Sequence, residues 1–104
     1  MSLKSIQEQV DGFTRQFKPQ YWKPHEILAR LTEETGELAR EINHLFGPKP
    51  KKSTEDTKEI GDELSDILFT LVCLANSQGI DLEESFQKMM EKYNKRDSDR
   101  FNKK

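Results

Sequence analysis

A chain of 104 residues that is 33% hydrophobic and 35% charged has the length of one domain, but too few apolar side chains for a large core of its own. Its formal net charge of −2 argues against general nucleic-acid binding. Its one cysteine excludes an internal disulfide, as expected in a reducing compartment.

The N-terminal residues Met1-Ser2-Leu3-Lys4-Ser5-Ile6-Gln7-Glu8 contain no apolar h-region, so a signal peptide is not expected. Ile6, Val10, Phe13 and Phe17 follow at spacings of 4, 3 and 4, which predicts a first helix over residues 5–17. Lys18-Pro19-Gln20-Tyr21-Trp22-Lys23 breaks the pattern. Pro24 suits the first turn of a second helix, where its missing N–H is not needed. That helix is expected over 24–46, until Gly47-Pro48-Lys49-Pro50-Lys51-Lys52 ends it as an exposed basic loop. Ser53 or Thr54 suits the cap of a third helix, with Glu55 and Asp56 near its positive end. It should run to about residue 77, with Gly79 as its stop. Its apolar run, 67–75, is too short to span a bilayer, and Cys73 within it reads as a small buried hydrophobe. Asp81 opens a fourth helix, with Glu84 three residues on as in a capping box, extending to about residue 94. Residues 95–104 read as a charged, partly disordered tail. With no strand-like alternation anywhere, the expected fold is all-α: a four-helix bundle-like single domain over 1–104, soluble and cytoplasmic. Assembly with further copies would bury more apolar surface.

Two acidic clusters stand out: Glu33-Glu34-Thr35-Gly36-Glu37 and Glu63-Leu64-Ser65-Asp66. Side chains at i and i+3 share a helix face. With 100° per residue, Ile27, Leu31, Leu38, Ile42 and Leu45 form an apolar stripe on the second helix; Glu34 lies about 60° and Glu37 about 120° to one side of it, and Glu33 nearly opposite. On the third helix, Ile60, Leu64, Ile67, Leu71 and Leu74 form the stripe, with Glu63 about 60° and Asp66 about 120° to one side. Both helices thus carry an apolar seam flanked by a carboxylate pair. Carboxylates crowded beside a seam are costly unless a cation or protons compensate them, and a hard divalent cation takes oxygen ligands of this kind. Any one of these acids alone is better explained as part of a solvated helix face; the matched pairs are not. Gly36 and Gly61 point away from the stripes and read either as close approach of another helix or as tolerated glycines.

The segment from Trp22 to Leu38, with Gly61-Asp62-Glu63-Leu64-Ser65-Asp66-Ile67-Leu68, resembles the MazG-like nucleotide pyrophosphohydrolases, whose signature is E-E-x-x-E followed after a spacer by E-x-x-D. The resemblance runs from about Trp22 to Phe101. It implies an all-α fold active as at least a homodimer, often a homotetramer, and Mg2+-dependent hydrolysis of a nucleoside triphosphate substrate to monophosphate and pyrophosphate. Mn2+ is the natural substitute ion. Carried over residue by residue, Glu34, Glu37, Glu63 and Asp66 become metal ligands, and Glu33 and Glu34 become candidates for handling the attacking water. A basic C-terminal pattern of the family, N-x-K-F-x-x-R-F, is met here by Asn94, Arg96 in place of Lys, Arg100 and Phe101, with Asp97 where Phe is usual. Asn94, Arg96 and Arg100, with Lys92 and Lys95, are therefore candidate phosphate contacts. Trp22 either stacks on a nucleobase or packs its loop against the bundle, packing being the commoner use.

Two other readings compete. Glu41-Ile42-Asn43-His44 is one Glu-x-x-His, but a di-iron bundle normally needs two. The alternative to an enzyme is a non-catalytic helical interaction module on the same scaffold. House-cleaning of noncanonical nucleotides is the role the resemblance suggests.

Overall fold

The computed structural model describes residues 1–48 and 60–97. Four helices follow one another: α1 Leu3–Thr14, α2 Pro24–Phe46, α3 Ile60–Ser77 and α4 Leu82–Asp97. Among the described residues there is no strand. The expected caps at Ser53 or Thr54, the basic loop beyond Pro48, Arg100, Phe101 and the end of the tail lie outside the described residues.

Local chemistry explains most boundaries. Ser2 caps α1 by a reciprocal exchange: its hydroxyl accepts from the Ser5 N–H at 3.0 Å, and the Ser2 N–H donates to the Ser5 hydroxyl at 2.9 Å. The helix therefore starts earlier than its apolar spacing indicates, and it ends at Thr14 rather than Phe17. The bounds of α2 are those expected, from Pro24 at the first turn to Gly47 just past the end. Gly79, at φ +66°, takes the left-handed conformation after α3. The Asp81 carboxylate accepts from the Glu84 N–H at 3.1 Å, which caps α4. α4 then continues to Asp97, so the expected tail begins as helix.

α2 and α3 form the central hairpin, α1 packs on α3, and α4 packs on α1. α3 serves both neighbours because Val72 lies about 200° around the helix from Thr70, and both are buried. The apolar core is thin: Val10, Ile27, Val72 and Ala75 are the buried hydrophobic residues among those described.

The seam of the hairpin differs from the expected one. Its centre is not the leucine stripes but Ile27, Glu34 and Glu41 on α2 and Glu63 and Thr70 on α3, all buried. Glu34 and Glu63 are each 1% exposed, whereas Leu45 is 59% and Leu64 52% exposed. Ile42, Leu68 and Leu71 are exposed as well. The leucines lie to one side of the seam and the other acids to the opposite side. Within one chain, much of the apolar surface of the stripes is left open. Gly36 and Gly61 are equally open; an added Cβ would meet nothing within 4 Å.

Candidate active site

The carboxylates converge where α2 and α3 cross. Glu34, Glu37 and Glu63 each present one oxygen within 4.8 Å of the others, two from buried side chains and one, Glu37, from an exposed one. Asp66 lies outside this group but beside it, half-buried on the wall of the adjoining cavity. Glu34 is the most constrained member. Its Oε1 is 2.6 Å from Nη2 of Arg30, one turn earlier on α2. Its Oε2 is buried and makes no hydrogen bond among the described residues. Burial raises its pKa above the ordinary carboxylate range; Arg30 opposes the rise, and the charges of Glu37, Asp66 and Glu63 add to it. A buried oxygen without a hydrogen bond, in an all-oxygen donor set of excess negative charge, is the environment a hard divalent cation fits.

Glu33 points elsewhere. It is exposed, and Nη1 of Arg30 lies 3.7 Å from its carboxylate. Glu41 is buried on the same line as Glu34, two helical turns further on, and His44 is half-buried. Neither belongs to the close carboxylate group.

Beside the cluster opens a cavity of about 620 Å³, a size that takes a small-molecule ligand. Its wall combines aromatic and charged side chains. Phe13, Phe17, Tyr21, Trp22 and Phe69 supply the aromatic part; Lys18, Arg30, Glu34 and Asp66 supply the charged part. Trp22 is exposed, so it borders the cavity rather than filling a core. Phe13 sits edge-on to both Phe17 and Phe69, with ring centroids 5.4 and 6.2 Å apart. Cys73 also reaches this wall. It is half-buried rather than fully buried, and desolvation pushes its thiol pKa up.

A polar clasp holds the loop that carries Tyr21 and Trp22. The Asp11 carboxylate on α1 accepts from the Tyr21 hydroxyl at 2.7 Å and from Gln20 Nε2 at 2.9 Å. The Tyr21 oxygen in turn accepts from Asn76 Nδ2 on α3 at 3.0 Å. Gln7 completes the chain, donating to Asn76 Oδ1 at 2.8 Å and accepting from the Leu82 N–H at 2.9 Å. The Tyr21 hydrogen bond, followed by that of Arg15, holds the Asp11 carboxyl below its ordinary range. α1, α3 and the start of α4 are thereby tied to the cavity loop.

The basic candidates of the C-terminal segment stand apart. Lys92, Asn94, Lys95 and Arg96 are exposed on α4, and none borders the cavity. Arg96 is engaged locally, donating to Asp97 at 2.8 and 2.9 Å and lying 5.0 Å from the centroid of the Tyr93 ring. Sequence reasoning missed Arg30 and the clasp. Arg30 was within reach, because an Arg one turn before a Glu is a readable helical pair. The clasp joins residues as much as 75 positions apart and leaves no local signal.

The family model of the MazG nucleotide pyrophosphohydrolase domain matches residues 22–101. The chain is 54% identical over 103 residues to the uncharacterized protein YpjD of Bacillus subtilis (strain 168), covering 99% of this chain and 93% of that protein. The crystal structure of Bacillus subtilis YpjD superposes with a TM-score of 0.81 over 90% of this chain and 96% of that one. A crystal structure of a Bacillus-conserved MazG protein, a nucleotide pyrophosphohydrolase, is 45% identical and superposes with a TM-score of 0.80, covering 96% and 97% of the two chains. Among the described residues, no helix is long and apolar enough to cross a membrane.

Proposed function

As a member of the MazG nucleotide pyrophosphohydrolase family, this chain is a nucleotide pyrophosphohydrolase, and we propose that it converts a (d)NTP to (d)NMP and pyrophosphate with Mg2+, or Mn2+ in its place. The observation that carries this reading is the juxtaposition of three carboxylate oxygens within 4.8 Å with an aromatic cavity whose wall includes Glu34 and Asp66. Glu34, Glu37, Glu63 and Asp66 would hold the cation. When bound, it supplies charge neutralisation for the triphosphate and Lewis-acid assistance to hydrolysis.

The chain's own residues do the rest. The aromatic wall receives the base, with Trp22 as its exposed stacking surface. The Asp11–Tyr21–Asn76 clasp fixes the depth of that wall relative to the carboxylates. Glu34 borders the cavity, and a carboxylate oxygen of it that is not used as a ligand would accept a proton from water attacking the α-phosphorus. Glu33 sits outside the cavity, and its assistance to that water would be indirect. Lys92, Asn94, Lys95 and Arg96 border no part of the cavity within one chain, so a phosphate role for them belongs to an assembly.

That assembly is a homodimer or homotetramer. Leu45 and Ile42 on α2, with Leu64, Leu68 and Leu71 on α3, expose an apolar surface on the hairpin that a second copy would cover. Removal of noncanonical nucleotides is the physiological role that suits a small enzyme of this kind.

Turnover in ¹⁸O-labelled water tests the reaction. Attack at the α-phosphorus puts the label in the monophosphate. Label found in pyrophosphate, or release of diphosphate and inorganic phosphate, would refute this chemistry.

A further inference from the structure

Arg30 is a charged group on the cavity wall that the proposed chemistry leaves without a task. Its guanidinium contacts Oε1 of Glu34 at 2.6 Å and lies 3.7 Å from Glu33. The Arg30 side chain is 50% exposed, whereas that of Glu34 is 2% exposed. The pair is thus asymmetric: the carboxylate is fixed in the seam, and the cation reaches it from the open side. A buried carboxylate among three other acids needs a positive charge to stay ionised. Without a metal ion, Arg30 is the cation that the described residues place against it.

The same position gives Arg30 a second partner. Arginine carries five N–H donors in a planar fork that matches phosphate oxygens bidentately. Arg30 borders the cavity together with Glu34 and Asp66, on the side where a triphosphate held by the carboxylate-bound cation would lie. A divalent ion on Glu34 takes over the neutralising task and repels the guanidinium, while a polyphosphate attracts it.

We propose that Arg30 is a substrate-contact residue that occupies Glu34 in the metal-free chain and transfers to a phosphate of the metal–nucleotide complex. The inference rests on the pyrophosphohydrolase reading and adds a consequence to it. Arg30 competes with the metal ion for Glu34 and cooperates with it for the nucleotide. Metal and nucleotide binding are therefore coupled through one side chain, and the coupling is reciprocal.

The test is equilibrium binding with the full-length protein. Mn2+ binding is followed by electron paramagnetic resonance, and binding of a non-hydrolysable α,β-methylene dNTP by calorimetry, with and without Mn2+. Wild type, Arg30→Gln and Arg30→Lys are compared after circular dichroism has established equal helicity. Arg30→Gln is expected to bind Mn2+ alone about tenfold more tightly, because its competitor is gone, and the Mn2+–analogue complex about tenfold more weakly, each equivalent to about 1.4 kcal/mol. Arg30→Lys keeps the charge without the fork, so its Mn2+ affinity should stay close to wild type while its analogue affinity is only partly restored. Weaker Mn2+ binding by Arg30→Gln would overturn the proposal, because it would mean that Arg30 merely orients Glu34. Unchanged analogue affinity would also overturn it. Wild type that binds neither Mn2+ nor analogue would remove the pyrophosphohydrolase reading along with this one; wild type that binds both, with the variants misbehaving as described, removes only the role of Arg30.

Discussion

Replacing Glu34 by Gln should make the metal-free protein more stable, an unusual outcome for a change at a residue 1% exposed. Burying an ionised carboxylate costs several kcal/mol even after relaxation, and the neighbouring acids increase that cost. Arg30 returns part of it, but as a half-exposed partner it contributes no more than about 1 kcal/mol. The amide keeps the volume and removes the charge, so at pH 8 in chelator the variant should gain about 1–2 kcal/mol. For a chain of this length each kcal/mol raises Tm by about 4–8 °C. The gain must depend on pH. Glu34 holds its proton to higher pH in the folded chain than in the unfolded one, so its contribution favours folding at low pH and is lost as pH rises through the raised folded value. The advantage of Glu34→Gln therefore disappears at acid pH and grows toward alkaline pH. Saturating Mn2+ should reverse the order: ligand at 100 times its Kd stabilises wild type by about 2.7 kcal/mol, and the variant by much less. Differential scanning calorimetry at fixed protein concentration, over pH and with chelator or Mn2+, measures all of this. A variant less stable than wild type in chelator at pH 8, or stabilised equally by Mn2+, would refute the argument.

Other consequences follow from the same geometry. Asp11→Asn weakens the clasp at the Tyr21 hydroxyl. Because the Asp11 pKa is depressed, its stabilising contribution is present above the ordinary carboxylate range and lost as pH falls through the folded value; the variant should show a flatter acid limb in urea titrations, together with a raised KM and a nearly unchanged kcat. Trp22→Ala should weaken nucleotide binding by about 1–3 kcal/mol, the contribution of one base–aromatic stack, with little change in Tm; calorimetric titration with a non-hydrolysable analogue reads this directly. Leu71→Glu places a charge on the open apolar side of the hairpin and should shift the protein to smaller species in light scattering while leaving its helical circular dichroism intact.

Much of the fold was legible because local chemistry sets it. Pro24 and Gly47 delimit α2, and Asp81 and Glu84 open α4, each by a hydrogen bond or a missing N–H that the residue type announces. The site was legible as residue types but not as an arrangement. Helical angles put Glu34 and Glu63 on the flanks of leucine seams, whereas they are buried at the centre of the α2–α3 contact. A hydrophobic pattern records all the surface that wants cover; it does not say whether the cover comes from the same chain. α1 was displaced for a smaller reason: Ser2 and Ser5 form their cap without any apolar residue to mark it. The aromatic cavity was only partly foreseen, through Trp22, because Phe13, Phe17 and Phe69 satisfy helical spacing as well as core residues would. What places them around one space is the clasp among Asp11, Tyr21 and Asn76, and hydrogen bonds between distant residues carry no periodicity.

Pyrophosphate release from a nucleoside triphosphate is proposed to depend on the carboxylates of the α2–α3 seam. It is tested most directly by quantifying products from a panel of NTPs and dNTPs with Mg2+, for wild type and for Glu63→Gln of equal helicity. The prediction is monophosphate and pyrophosphate in equimolar amounts from at least one substrate with wild type, and at least about a hundredfold less with Glu63→Gln, the scale on which loss of charge stabilisation at a reacting centre acts. Diphosphate and inorganic phosphate as products, or undiminished turnover by Glu63→Gln, would contradict it.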